Sequence, residues 1–355
     1  MRRAHPRPGR VAGVSLIELM VALVLGLIVT GSALTLVLTH RQTFAATEDL
    51  GRMQEGARLA FEMMGRELRG AGGNPCDSRL NVNSGLNDPE ANWWTDWANL
   101  VAGVPTSTAP ALRGYPSDTA DAAFPFGAGI GDRVAGTDAI EVKAAVPVSA
   151  DSALLTTALA DPFDDDIEVN TTGDVAVGDL LLICNFNNAT IFRVTSVGAD
   201  TIGHGDGMAD DDNAEKEMPR ANTDATANFG VGAMVSKVHA ARWYIGNNGV
   251  DTDGDGVADG RSLYRAMLTN NDGTLEEAVD EIAQGVVDMQ VSYLVRGAVQ
   301  YLDLDDAAVD FSDGSNPVVG VRVLLTLSGD DRIGPNGERV QRTMTQTVAV
   351  RGTAR

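Results

Sequence analysis

The chain has 355 residues, 44% of them hydrophobic, and a formal net charge of −22. That apolar share is globular rather than disordered, and the acidity argues against a nucleic-acid surface, which needs clustered Lys and Arg. Two cysteines, Cys76 and Cys184, are too few for a disulfide scaffold.

The first thirteen residues, "MRRAHPRPGRVAG", carry Arg2, Arg3, Arg7 and Arg10 and no acid. A basic flank ahead of an apolar run stays on the cytoplasmic side, so the chain beyond the run is expected across a membrane. The run itself, Val14 to Leu38, holds 25 residues whose one charge is Glu18. As a helix it spans about 37 Å, enough to cross a bilayer. A cleaved secretory signal has a shorter apolar core, about 7–15 residues, ending at a small-residue cleavage site. Here the run passes without a break into "THRQTFAATEDLGRMQEGARLAFEMMGRELRGAGG".

In that second stretch Ala46, Leu50, Met53, Ala57, Ala60, Met64 and Leu68 fall on one helical face. Glu48, Arg52, Glu55, Arg58, Glu62 and Arg66 take the others, with i,i+4 pairing at Glu48–Arg52, Arg58–Glu62 and Glu62–Arg66. Gly70, Gly72, Gly73 and Pro75 stop the helix. The pattern predicts one helix of roughly 55 residues, about 80 Å long, apolar all round at first and amphipathic afterwards.

The body from about Asn74 onward reads as mostly β. Runs such as "AIEVKA", "LLLICNF", "IFRVTSV", "MVSKVHAARWYI", "MQVSYLV", "VVGVRVLLTL" and "TMTQTVAVR" alternate or are wholly apolar, with Gly, Asn and Asp between them. "LEEAVDEIAQGV" reads as a short helix or an irregular lead-in, and residues 77–135 as irregular, with a Trp cluster at Trp93, Trp94 and Trp97 whose expected role is packing. The fold class is α+β: a long N-terminal helix packed through its amphipathic half on an antiparallel sheet. The acidic stretches "DPFDDDIE" and "DGMADDDNAEKE" read as solvated loops.

Catalytic chemistry is scarce. His5, His40, His204 and His239 show no metal-ligand spacing, and "FGAGIGDRVAG" lacks the following helix of a nucleotide loop. The expectation is a non-enzyme. The chemical motif that stands out is "DTDGDGVADG". Asp251, Asp253, Asp255 and Asp259 occupy positions 1, 3, 5 and 9 of a calcium loop, with the Val257 carbonyl at position 7 and Gly256 at the turn. Ser262 stands where an EF-hand places Glu, so the segment resembles the shorter Asp-rich loops of extracellular calcium modules. The expected cofactor is Ca2+; the alternative is a metal-free acidic turn.

"G-VSLIELMVALVLG" after a short basic leader resembles the type IV prepilin signature. "RQTFAATEDLGRMQEGARLAFEMMGRELRGAGGNPC" and the strand blocks after it are similar to PilW-like minor pilins, in the same order. Two departures are Val14, where Phe is usual, and an apolar run without Pro. The resemblance implies a leader at 1–13, a transmembrane and fibre-core helix at 14–38, its amphipathic half at 39–70 and a periplasmic or extracellular β-rich pilin domain at 71–355. It also implies cleavage by a prepilin peptidase after Gly13, methylation at Val14, and a Glu18 carboxylate that meets a cationic amino terminus during assembly. Snorkelling at the interface is the alternative role for Glu18. The partners implied are the peptidase, other minor pilins and the major pilin, with the bacterial inner membrane before assembly and the pilus surface after it. A minor pseudopilin of a type II secretion system and a membrane-anchored surface adhesin are the alternative functions. Export would put Cys76 and Cys184 in an oxidising compartment, where a disulfide is expected; two separate thiols are the alternative.

Overall fold

The computed structural model describes residues 13, 15–77, 80, 82–88, 92–96, 111–121, 124–159, 166–207, 212–214, 218–220, 223–226, 229–252, 254–311, 317–329 and 338–352. Residues 1–12, Val14, Trp97 and Asp253 lie outside them. The described chain is one long helix followed by a mostly antiparallel β domain, an α+β arrangement.

Helix α1 runs without interruption over Leu16–Gly70, 55 residues. From Ser15 to Phe44 every residue is exposed. Beyond that point the predicted stripe goes inside: Met53, Ala57, Ala60, Met64 and Leu68 are buried, and Ala46 and Leu50 half-buried. Burial of each Met or Leu contributes roughly 1.5–3 kcal/mol, while the alanines let the helix approach the strands closely. On the outer face Arg66 reaches Glu62 at 3.8 Å. One acid breaks the pattern. Asp49 is buried on the domain side, paired with Arg52 at 2.5 Å.

The strands are β1 (Val82–Ser84), β2 (Leu112–Tyr115), β3 (Ala139–Pro147), β4 (Leu154–Leu155), β5 (Asp166–Glu168), β6 (Leu180–Cys184), β7 (Ala189–Arg193), β8 (Ser196–Val197), β9 (Thr201–Gly203), β10 (Pro219–Arg220), β11 (Thr223–Thr226), β12 (Met234–Asn247), β13 (Arg261–Asn271), β14 (Thr274–Gln284), β15 (Val286–Val295), β16 (Val318–Ser328) and β17 (Gln341–Ala349). β12 organises the larger sheet. One of its edges pairs first with β4 and then with β3; the other pairs with β6 near its start and β13 near its end. β7 and β1 extend the sheet beyond β6, β2 beyond β3, and β14 beyond β13. All these pairings are antiparallel except β1 with β7. β15, β16 and β17 form a second antiparallel sheet.

The amphipathic half of α1 lies between the two sheets. Met64 and Leu68 share one core with Val142, Trp243 and Leu263 of the larger sheet and with Val291, Val323 and Val348 of the smaller. A polar contact fixes the helix in place: the Trp243 indole donates to Glu67 at 2.5 Å, with Arg265 3.5 Å and His239 3.4 Å from the same carboxylate. After the glycines the chain joins β3, the Gly72 amide donating to the Lys143 carbonyl and the Ala145 amide to that of Gly73.

"LEEAVDEIAQ" is strand β14, not a helix or an irregular lead-in. Its partner β13 and the turn between them decide this, because Asp272 and Gly273 sit at φ 49° and 92°, the left-handed pair of a two-residue hairpin. Tertiary pairing here overrides the helix propensity of Leu, Glu and Ala.

Past the helix, Asn74 Oδ1 accepts the amides of Cys76 and Asp77, a tight turn that aims Cys76 at the sheet. Cys76 and Cys184 are disulfide-bonded, their Cα atoms 6.1 Å apart, and Cys184 is fully buried at the end of β6. The bond ties the end of α1 to the far strands of the larger sheet. Closing a loop of this length contributes about 4–5 kcal/mol in the chain-entropy model. Replacing both cysteines by serine is therefore expected to lower stability by up to that amount, measured by denaturant unfolding. The wild-type chain should show no titratable thiol in denaturant without reductant.

Candidate functional site

Gly13 is exposed, and Ser15 is extended (φ −70°, ψ 144°) before the helix begins. Glu18 lies in the first turn, where free amides and the positive end of the helix dipole favour a carboxylate. Around and beyond it Leu16, Ile17, Leu23, Leu27 and Val29 are exposed. By length and composition this is a helix that can cross a membrane, as a single-pass anchor or a signal sequence does. Within the helix, the hydroxyls from Thr30 to Thr39 are bonded to carbonyls of the preceding turn. Ser32 donates to the Ile28 carbonyl at 2.8 Å, Thr35 to Gly31 at 2.8 Å and Thr39 to Thr35 at 2.9 Å, and Thr30 bonds the Gly26 carbonyl in the same way. Such back-bonding removes the cost of placing a hydroxyl in hydrocarbon.

The Asp-rich segment bulges between β12 and β13. Asp251 accepts the amides of Gly254 at 2.7 Å and Gly256 at 2.8 Å, and Asp255 accepts that of Val257 at 2.8 Å. Asp259 closes the loop, taking the Thr252 amide at 2.7 Å and its hydroxyl at 2.9 Å. The backbone and side-chain bonds from Thr252 hold the Asp259 carboxyl below its ordinary range. Gly254 and Gly256 sit at φ 83° and 90°, a path that side chains other than glycine resist. The donors are all oxygens, the chemistry calcium prefers. Ser262, at the twelfth position, is buried in β13, its hydroxyl accepting from Asn248 Nδ2 at 3.0 Å. Among the described residues, which lack Asp253, no group of three or more His, Cys, Asp or Glu is gathered as a metal cage.

The remaining motifs have structural explanations. In "FGAGIGDRVAG" the Asp132 carboxylate accepts the Gly129 amide at 2.7 Å and fills the space beside Gly127. His204 is buried edge-on against Phe192, and His40 is exposed on α1. Trp94 is buried, while Trp93 lies over the Arg242 guanidinium at 4.3 Å and donates to Glu277 at 2.7 Å.

Sequence reasoning missed a buried ionic cluster in the larger sheet. Glu141 receives Lys143 Nζ at 2.7 Å, Arg242 Nε at 2.8 Å and the Tyr115 hydroxyl at 2.6 Å. Lys143 also donates to the Asp96 carbonyl at 3.0 Å, which holds the Trp-bearing turn. Glu141 and Lys143 are almost wholly inaccessible. Burial pushes the Glu141 carboxyl up, but Lys143 and Arg242 outweigh it and hold it at about 2. The signal was present in "AIEVKA", where Glu and Lys two apart on a strand share one face, and Arg242 stands directly opposite Glu141. Nearby, burial pushes the Asp138 carboxyl up to about 6, against a hydrogen bond from the Val291 amide at 2.8 Å.

No family model matches the sequence, and no curated protein matches it at a significant level.

Removing Glu141 leaves two buried cations without their anion. Glu141→Ala is expected to cost about 3–5 kcal/mol in denaturant unfolding, and a loss below about 1 kcal/mol would show the cluster to be solvated. The Glu141 contribution is full at neutral pH and fades as pH falls below the ordinary carboxylate range toward 2, because its folded value is depressed. Asp138 has the opposite sign. Its folded value is raised, so it weakens the fold above about pH 6 and ceases to do so as it protonates. Asp138→Asn should therefore raise Tm at pH 7.5 and leave it unchanged near pH 4.

Proposed function

We propose that the chain is a non-catalytic, membrane-anchored subunit of a type IV pilus, a PilW-like minor pilin. The carrying observation is the division of α1, whose exposed apolar first half continues without a break into a second half buried between two sheets. A soluble domain has no use for about 35 Å of solvent-exposed apolar helix. A subunit that waits in the inner membrane and then packs its helix among other pilin helices uses it in both places. In this reading the peptidase cuts after Gly13, Val14 becomes the methylated amino terminus, and Glu18 pairs with that cation or with a neighbour's. A carboxylate left alone in hydrocarbon costs a few kcal/mol, so the pairing drives registry as a subunit enters the fibre. The minor pilins and the major pilin are the partners, and the β domain sits on the periplasmic side before assembly.

Mass spectrometry of the mature protein tests the processing step. A methylated Val14 is expected, and Gly13 replaced by a bulky residue should leave the leader attached. An intact Met1 terminus in functional fibres would contradict it. Glu18→Val should insert into the membrane normally yet reduce the amount of this subunit in sheared filaments. Unchanged incorporation would favour the snorkelling role.

We also propose that Asp251, Asp253, Asp255, Asp259 and the Val257 carbonyl hold one calcium ion, which offsets two of the four carboxylate charges and orders the loop. With Ser262 in place of a bidentate acid, affinity should fall in the weak extracellular range of about 10⁻⁴–10⁻³ M. At about 1 mM calcium, one to ten times that Kd, the ion adds about 0.4–1.4 kcal/mol to the domain. Millimolar calcium should raise Tm, magnesium should do so poorly, and Asp253→Ala with Asp255→Ala should abolish the rise. A Tm indifferent to calcium and chelator would leave the segment a metal-free turn.

A further inference from the structure

β3 and β12 are antiparallel neighbours, yet 86 residues, 148–233, separate them in the chain. That excursion lends β4, β6 and β7 to the larger sheet, and the rest of it builds a lobe against their far ends. It contains the small β5–β9–β8 sheet and the β10–β11 hairpin, and Leu154, Ile167, Val169, Phe192, Ile202 and Phe229 pack in a core separate from that of α1. Its composition is lopsided: sixteen acids against three bases, more than half of the net charge of −22. One of the bases is already engaged, since Arg193 bonds Asp212 at 2.9 Å and the Gly273 carbonyl at 2.7 Å. The carboxylate-bearing residues Asp151, Asp166, Glu168, Asp174, Asp200 and Asp206 are exposed.

The lobe stands at the end of the domain farthest from the apolar helix. At one end Asp49 lies against Gly329, Arg339 bonds the carbonyls of Gly329 and Thr252, and β12 finishes nearby at Asn247. At the other end α1 terminates beside Lys143 and Ala145, where β3 pairs with the first half of β12. The start of β12, at Met234, is paired with Cys184 on one side and Leu155 on the other. Just beyond those three paired residues the chain displays Phe186, Val231 and Leu159, which are 91%, 73% and 58% exposed. An exposed Phe on the β6–β7 hairpin tip, with exposed aliphatic residues on the segments that continue from its strand neighbours and an acid-rich excursion around it in sequence, is an anchor without a socket.

We infer that this distal lobe docks onto a protein partner that offers an apolar pocket rimmed by Lys and Arg, with Phe186 as the inserted side chain. Charge complementarity selects the occupant. A second copy of this chain, itself strongly acidic, would be repelled, and so would an anionic lipid surface. The apolar tip supplies the buried contact and the acids steer the approach, so the association depends on salt.

The test places a photo-crosslinking p-benzoylphenylalanine at Phe186 in the full chain, in native membranes, with the same probe at Ile130, exposed near the opposite end, as control. A discrete adduct is expected at Phe186 and not at Ile130, with the crosslinked peptide lying in a Lys- and Arg-rich segment. Its yield should fall at least fivefold between about 50 and 500 mM salt. With the probe moved to Val231, Phe186→Ser should lower the yield at least fivefold. A lipid adduct, a self-adduct, an acidic partner segment, a salt-independent yield or no discrete adduct at Phe186 would each overturn the inference. Because Phe186 is exposed and outside every core, an unchanged Tm for the variants confirms that such a result does not arise from misfolding.

Discussion

Everything in this molecule depends on the burial of one helical stripe between two sheets. Met53, Ala57, Ala60, Met64 and Leu68 are the shared floor of both, in the one core that joins the helix to the two sheets. The spacing of those residues sets the helix face, and the small side chains at 57 and 60 set its distance from the strands. Glu67 then removes the remaining freedom to rotate, because its carboxylate meets Trp243 and Arg265, which are direct neighbours across β12 and β13. The disulfide from Cys76 to Cys184 adds a covalent limit at the helix end. The β domain is thus held rigidly to the helix, and any force on the apolar half is transmitted to the sheets.

The first half of the same helix, up to Phe44, has no partner among the described residues. Its hydroxyls are satisfied by its own carbonyls and its apolar side chains face outward, so its surface is suited to hydrocarbon or to other helices. Glu18 is the exception, and it is placed in the first turn, where the helix dipole favours a carboxylate. A single continuous helix therefore joins a lipid-compatible rod to a folded domain. That division of labour is the physical basis of the pilin reading.

Much of this was legible in the sequence. The length of α1, its stop at the glycines, its buried stripe and seven strand runs come from periodicity and turn residues, because local signals and tertiary packing agree there. The strand at "LEEAVDEIAQ" was not legible as such, since its acids and alanines favour a helix and only the pairing with β13 overrides them. The buried Glu141, Lys143 and Arg242 were also missed: charges in an alternating strand ordinarily face water, and only the long-range register brings the three together. Asp49 is a similar case, an acid whose spacing from Ala46 and Met53 puts it on the buried stripe although its charge favours solvent. The Asp-rich loop shows the reverse. Its spacing was evident from the start, and its carboxylates bind the loop's own amides, an arrangement that accommodates either a metal or none.

The most direct test of the account separates the two halves of α1. Two soluble fragments, one beginning at residue 45 and one at residue 61, would be compared by thermal melting under oxidising conditions. The first retains the whole buried stripe and should melt cooperatively as a monomer with the Cys76–Cys184 bond formed. The second lacks Met53, Ala57 and Ala60 and should show no cooperative transition. Equal melting of the two would mean that the sheets close without the helix, and the division of α1 into a core half and a free half would be wrong.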